Sequence, residues 1–142
     1  MALTILVADN HAVFRRGLVE VLRADPAFDS LIEAADGAEA LRLIIEMYPS
    51  VAVLDIHMPL LSGFQVASIV RQANLRTALV FVTAYRDQGM LEAAASHGVN
   101  VYILKDDAVR EIRDGVRAAI RRETFVSPEF LEYIRKKGPG KK

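Results

Sequence analysis

The sequence predicts an open, doubly wound α/β domain in which five parallel strands carry five helices on their two faces. Two patterns predict it. Short apolar runs of strand length alternate with stretches whose apolar residues recur at helical spacing. Four of the runs also end in a polar residue with chemistry to offer: Ile5-Leu6-Val7-Ala8 leads to Asp9 and Asn10, Val51-Ala52-Val53-Leu54 to Asp55, Leu79-Val80-Phe81-Val82 to Thr83, and Val101-Tyr102-Ile103-Leu104 to Lys105.

Each element follows in order. The strand-like runs are residues 4–8, 30–34, 51–54, 78–82 and 101–104. The third reads as a continuous apolar run, and the first and fourth nearly so, as a sheet covered on both faces requires. Between the runs, Phe14, Leu18, Val21 and Leu22 mark the first helix face, and Ala38, Leu41, Ile45 and Tyr48 the second. Val66, Ile69 and Val70 mark the third, Leu91, Ala94 and Ala95 the fourth, and Val109, Ile112, Val116 and Ile120 the fifth. Two helix starts carry capping boxes, Asp36-Gly-Ala-Glu39 and Ser62-Gly-Phe-Gln65, in which a short side chain accepts from a free backbone N–H while Glu or Gln reaches back. Asp106 or Asp107 caps the fifth helix in the same reading. Asp25-Pro26, Pro49 and Gly98 supply stop signals. After residue 123, Phe125-Val126 and a short helix opened by Ser127-Pro128 form an appendix that packs on the domain or starts a linker.

Composition narrows the function classes. At 142 residues, 52% hydrophobic and 25% charged, the chain has material for one sizeable core. No apolar stretch approaches the ~20 residues of a membrane span, and Met1-Ala2-Leu3-Thr4 lacks the basic start of a signal peptide. The absence of cysteine removes thiolate metal sites and Cys nucleophiles and fits a reducing cytoplasm. The zero net charge hides an asymmetry. Residues 1–104 hold 7 Lys/Arg and 11 Asp/Glu, and residues 105–142 hold 11 and 7, with much of the basic excess in residues 135–142. A solvated tail is the expectation for that segment, with nucleic-acid contact as the alternative.

In open α/β sheets, ligands bind beyond the carboxyl ends of the strands where strand order reverses. With strands 1 and 3 adjacent, Asp9, Asn10 and Asp55 converge there, and Thr83 and Lys105 stand to one side. Close carboxylates repel unless a cation joins them. The expected donors are all oxygens, so a hard ion such as Mg²⁺ fits and zinc does not. A carboxylate nucleophile, a divalent ion, a hydroxyl and a lysine make a set for phosphoryl transfer. None of His11, His57 and His97 has metal-ligand spacing in the sequence, and no side-chain ligation is expected of them.

The pattern Asp9-Asn10…Asp55-x-x-Met58-Pro59-x-x-x-Gly63…Thr83-Ala84…Lys105 resembles the receiver domain of bacterial two-component response regulators. The resemblance covers residues 3 to about 123. Asp9-Asn-His11, Leu54-Asp-Ile-His-Met-Pro59 and Tyr102-Ile-Leu-Lys-Asp106 are most similar to the NarL/FixJ (LuxR-type) group. It implies a flavodoxin-like fold with strand order 2-1-3-4-5, a receiver unit at 1–123, and a C-terminal short helix with a basic linker or tail at 124–142. It implies that Asp55 takes a phosphoryl group from a sensor histidine kinase, so that the domain is a signalling switch and not an enzyme in the ordinary sense. Mg²⁺ would be held by Asp9, Asn10, Asp55 and the backbone carbonyl of His57. Thr83 and Lys105 would grip the phosphoryl oxygens. Thr83, with Tyr102 behind it, would relay the event to the face of helix 4, strand 5 and helix 5. A homodimer is compatible with this role, and DNA would be reached only through an output domain outside these residues.

One position departs from the family. The second acidic residue is Asn10, an amide that brings an oxygen but no charge. Weaker Mg²⁺ binding and less repulsion of an anionic phosphodonor follow from it. Asn10 is also the support for an alternative, a pseudo-receiver that signals through partners without phosphate. A third reading, an Asp-nucleophile phosphohydrolase, wants a second Asp two residues beyond Asp55, where His57 stands.

Overall fold

The computed structural model describes residues 3–137. The basic tail beyond Lys137 lies outside the described residues. The elements run β1 Thr4–Ala8, α1 Ala12–Arg23, β2 Ser30–Ala34, α2 Gly37–Met47, β3 Val51–Asp55, α3 Gly63–Gln72, β4 Ala78–Thr83, α4 Gln88–Ser96, β5 Val101–Leu104, α5 Ala108–Ile120, β6 Phe125–Val126 and α6 Pro128–Lys137. A single 3₁₀ turn, Lys105–Asp107, joins β5 to α5. The strands form one sheet in the order β2-β1-β3-β4-β5-β6, and every pairing is parallel.

The expected order 2-1-3-4-5 is present, but among the described residues the five strands and five helices of the domain become six of each: β6 joins the sheet, and the short helix expected after Ser127-Pro128 is the sixth. β6 escapes sequence reasoning because two residues are too short to show any period, and only pairing defines them. Phe125 N–H donates to the Asn100 carbonyl at 3.0 Å and Ser127 N–H to that of Tyr102 at 3.0 Å. Residues 125–126 thereby extend the sheet.

Strand alternation sorts the core into two halves. Ile5, Val7, Val51, Val53, Val80, Val82, Val101 and Ile103 pack against α1 and α5. Leu6, Ala8, Ala52, Leu54, Leu79, Phe81, Tyr102 and Leu104 face the other way, against α2, α3, α4 and α6. β3, β4 and β5 are buried at every position, and burial of both faces is why β3 and β4 are apolar up to their last residues, Asp55 and Thr83. No helix among the described residues is long and apolar enough to cross a membrane.

Two expected helix faces are shifted. On α2 the buried residues are Gly37, Ala40 and Ile44, while Ile45 and Tyr48 are exposed. On α5 they are Ala108, Ile112, Gly115, Val116, Ala118 and Ala119, and Val109 is 56% exposed. The cause is close approach. A Cβ on Gly115 would lie 2.5 Å from Ile103 Cδ1, and one on Gly37 only 1.8 Å from the Leu61 carbonyl oxygen. Small residues let these helices sit low, so the larger neighbouring side chains that dominate a hydropathy reading turn outward.

The caps also divide. Ser62 and Gln65 form the complete reciprocal box. Asp36 accepts from Glu39 N–H at 2.8 Å, but Glu39 reaches back to Ala35 N–H rather than to the cap residue itself. Asp107 precedes α5 without accepting a backbone N–H; the 3₁₀ turn carries the chain in, and its carboxylate pairs with Arg110 at 2.5 Å. Asp87 caps α4 by accepting from Met90 N–H at 3.1 Å. Gly98 ends that helix region at φ +77°, a left-handed conformation that glycine adopts without strain.

Candidate functional site

Four parallel strands deliver the predicted side chains to one edge. Ala8 pairs with Leu54, so Asp9 and Asp55 follow one another off adjacent strands. Asp55 is level with Val82 and Thr83 with Leu104, which brings Thr83 and Lys105 alongside. Asp9, Asp55 and Thr83 are buried, with at most 3% of their surface exposed. Lys105 is half-buried and Asn10 exposed.

Lys105 holds the centre. Its ammonium lies 3.0 Å from Asp55 Oδ2 and 2.9 Å from Asp9 Oδ2, with its charge 4.9 Å from the centroid of the Phe14 ring. Asp55 Oδ1 accepts from His57 N–H at 3.1 Å, and Asp9 Oδ1 from His11 N–H at 2.8 Å. Each carboxylate is therefore oriented by the backbone two residues downstream while its other oxygen points at the lysine. Thr83 Oγ1 accepts from Tyr85 N–H at 3.2 Å. The Tyr85 ring meets His57 edge to face at 4.9 Å.

Burial pushes the Asp55 carboxyl above its ordinary range; the Lys105 hydrogen bond opposes that shift and the charge of Asp9 reinforces it. For Lys105, burial works against the charged form, but the neighbouring carboxylates of Asp9 and Asp55 outweigh it and hold the ammonium above its ordinary value. Two carboxylates share one ammonium, so the site carries an uncompensated negative charge in a half-buried position. Asp9 Oδ2 is buried and makes no directed hydrogen bond; the nearby ammonium compensates its charge without aligning with it. A carboxylate oxygen left in this condition suits a cation, and the donors offered by Asp9, Asp55 and the loop after β3 fit a divalent one.

The loop that carries this edge is pinned from below. Gly63 N–H donates to the Ile56 carbonyl at 2.8 Å, and a Cβ on Gly63 would lie 2.9 Å from the Asp55 carbonyl oxygen. Only glycine lets α3 start this close to the strand end. The Pro59 carbonyl accepts from Gly37 N–H at 3.2 Å and from Leu61 N–H at 2.8 Å.

Behind the site, Tyr102 is fully buried. Its hydroxyl has no hydrogen-bond partner, and its phenol is pushed up to about 12 by burial, with Asp87 adding to the shift and Thr83 opposing it. The ring lies 5.4 Å from that of Phe130 on α6. Ser127, also fully buried, accepts from Leu104 N–H at 2.9 Å and donates to Glu111 at 2.5 Å. Arg86 pairs with Glu129 at 2.8 Å. These contacts tie the C-terminal segment to β5, to α5 and to the loop after β4. Sequence reasoning missed them, as it missed His11, whose Nδ1 lies 3.1 Å from Asp9 Oδ1. The available signal for His11 was its place two residues past Asp9, at the cap of a helix that starts on the same edge.

A parallel sheet with strand 1 beside strand 3, two buried acids and a lysine meeting at its carboxyl edge, defines a receiver. The family model described as the response regulator receiver domain matches residues 5–117, and the chain belongs to that family. Among curated proteins it is 34% identical over 127 residues to the probable transcriptional regulatory protein NarL of Mycobacterium tuberculosis, which covers 89% of this chain and 59% of that protein. It is 30% identical to the oxygen regulatory protein NreC of Staphylococcus carnosus, covering 92% of this chain and 60% of that one. The chain thus spans less than two thirds of the length of these relatives. Among solved structures, the signal receiver domain of NarL from Mycobacterium tuberculosis superposes with a TM-score of 0.80 at 34% identity, over 84% of this chain and 97% of that one. A DNA-binding response regulator of the LuxR family from Staphylococcus aureus gives 0.78 at 26% identity, over 83% and 98%.

Proposed function

We propose that this chain is a phosphorylation-dependent switch. The Asp55 carboxylate attacks the phosphorus of a sensor kinase's phosphohistidine; an O–P bond forms, the P–N bond breaks, and the imidazole leaves. The arrangement that carries the reading is Asp55 set between a lysine at 3.0 Å and a backbone N–H at 3.1 Å, with Asp9 and Thr83 on the flanking strands. Mg²⁺ would be held by Asp9, Asn10, Asp55 and the His57 carbonyl, and would neutralise charge gathering on the phosphoryl oxygens. Lys105 exchanges a carboxylate partner for a phosphoryl oxygen. Thr83 donates its hydroxyl to another. Tyr102 lies directly behind, and its unsatisfied hydroxyl gives it a reason to move when Thr83 moves.

The signal then leaves through α4, β5 and α5. The receiver unit is residues 1–123, with 124–142 as the attached segment that leads on. The names of the relatives support a transcriptional output, reached through a DNA-binding domain outside these residues; in this reading the switch operates in the cytoplasm, with homodimerisation a further step. Domain and kinase together make a signalling pair; the chain itself turns over no external substrate.

The test is incubation with Mg²⁺ and acetyl phosphate followed by intact mass, beside Asp55→Ala. One added phosphoryl group, absent in the variant and in EDTA, is the expected result. An unmodified wild type at high Mg²⁺, with acetyl phosphate and with several kinases, would leave the phosphate-independent binding module as the better reading.

A further inference from the structure

We propose that the imidazole of His11 is a ligand of the divalent cation at this edge, adding a neutral nitrogen donor beside the uncharged Asn10 and moving the site's preference from Mg²⁺ toward first-row ions that accept nitrogen, such as Mn²⁺ and Co²⁺. The inference rests on the receiver reading of the site and goes beyond it in naming a nitrogen ligand.

Three observations carry it. One ligand atom from each of Asp9, His11 and Asp55 can be chosen so that all lie within 4.8 Å of one another. His11 Nδ1 is 3.1 Å from Asp9 Oδ1, close to the separation of about 3 Å between neighbouring donors around an ion with bonds near 2.1 Å. A cation of the protein's own already occupies this cradle: the Lys105 ammonium is 2.9 Å from Asp9, 3.0 Å from Asp55 and 3.3 Å from His11 Nδ1. The third observation is the fully buried Asp9 Oδ2, which faces this space without a directed hydrogen bond.

The two contacts of Nδ1 call for opposite tautomers. Donating to Asp9 needs the proton on Nδ1, and accepting from Lys105 needs a lone pair there. A ligand role requires the second form, with the proton on Nε2, and the side chain is 67% exposed, so that N–H can be solvated. The other two histidines are placed differently. His57 meets the Tyr85 ring edge to face, and His97 Nδ1 lies 2.8 Å from the Ala93 carbonyl. Oxygen donors alone would hold Mg²⁺ well. Adding imidazole favours the ions for which nitrogen is a good ligand.

The experiment is calorimetric titration of the full chain with Mg²⁺, Mn²⁺ and Co²⁺, each alone, for wild type, His11→Ala, His11→Asn and the control His97→Ala. We expect both His11 variants to lose roughly tenfold in Co²⁺ affinity, with a smaller loss for Mn²⁺ and a change of less than about twofold for Mg²⁺. His97→Ala should leave all three unchanged. Long-range ¹H–¹⁵N spectra of the imidazoles, titrated with diamagnetic Zn²⁺, should show the Nδ1 resonance of His11 moving first. Unchanged Co²⁺ affinity in the His11 variants would overturn the proposal, as would equal losses for all three ions or an equal Co²⁺ loss in His97→Ala. If the His11 variants bind ions like wild type and Asp55 still accepts phosphate from acetyl phosphate with Mg²⁺, the ligand role fails and the receiver stands. If wild type neither binds a divalent ion nor takes phosphate, both readings fail.

Discussion

Ser127→Ala tests how the C-terminal segment supports the functional edge. The hydroxyl is fully buried and serves two partners, Leu104 N–H at 2.9 Å and Glu111 at 2.5 Å. Alanine fits the space but leaves the Leu104 N–H without an acceptor at a residue only 2% exposed. An orphaned buried donor costs about 1–3 kcal/mol, and the lost bond to the carboxylate adds about 1 kcal/mol more. A total of about 2–4 kcal/mol, at a urea slope near 2 kcal/mol/M, lowers the unfolding midpoint by about 1–2 M. The pH dependence is an independent check. Burial holds the Glu111 carboxyl above its ordinary 4.5, the Ser127 hydrogen bond opposes the shift, and the charge of Asp107 adds to it. A folded-state value above the unfolded one means that this group's stabilisation is complete below the unfolded value and is lost as pH rises through the folded one. Ser127→Ala removes the opposing bond, so its penalty should be larger at about pH 7 than at about pH 4. Glu111→Gln should flatten the difference. Urea titrations of the variants at the two pH values measure both effects. A midpoint fall of less than about 0.5 M at neutral pH, or a penalty that grows in acid, would refute the reasoning.

Two further outcomes follow from single contacts. Tyr102→Phe deletes a buried hydroxyl with no partner and should leave stability unchanged or raise it by about 1 kcal/mol; a loss above about 1 kcal/mol in urea unfolding would mean that the hydroxyl has a partner after all. Gly37→Ala drives a Cβ into the Leu61 carbonyl oxygen at 1.8 Å and should cost at least about 2 kcal/mol, read as a drop in Tm, with a neutral effect refuting the close approach.

Much of the molecule was legible in its residues because the sheet is buried on both sides. Continuous apolar runs such as 51–54 need no partner to be recognised, and the polar residue ending each run marks the ligand edge. Asp9, Asp55, Thr83 and Lys105 were readable for that reason. What could not be read depends on distance rather than on type. The buried stripes of α2 and α5 follow glycine and alanine, because the helices press on Leu61 and Ile103. β6 is defined by its pairing with β5, Val101 opposite Phe125 and Tyr102 opposite Val126. His11 looks like any histidine at a helix start until Lys105, which is 94 residues away in the chain, is brought to 3.3 Å from its ring.

The place of β6 in the sheet has a consequence for solubility. Without it, the outermost strand on that side would be Val101-Tyr102-Ile103-Leu104, an apolar run with its outer row of N–H and C=O groups unpaired. Such an edge invites strand addition from another chain. Phe125 and Val126 close part of that row, Ser127 takes the Leu104 N–H, and Phe130 covers the Tyr102 ring. A chain cut at residue 123 would meet self-association as its first hazard, ahead of any loss of folding energy.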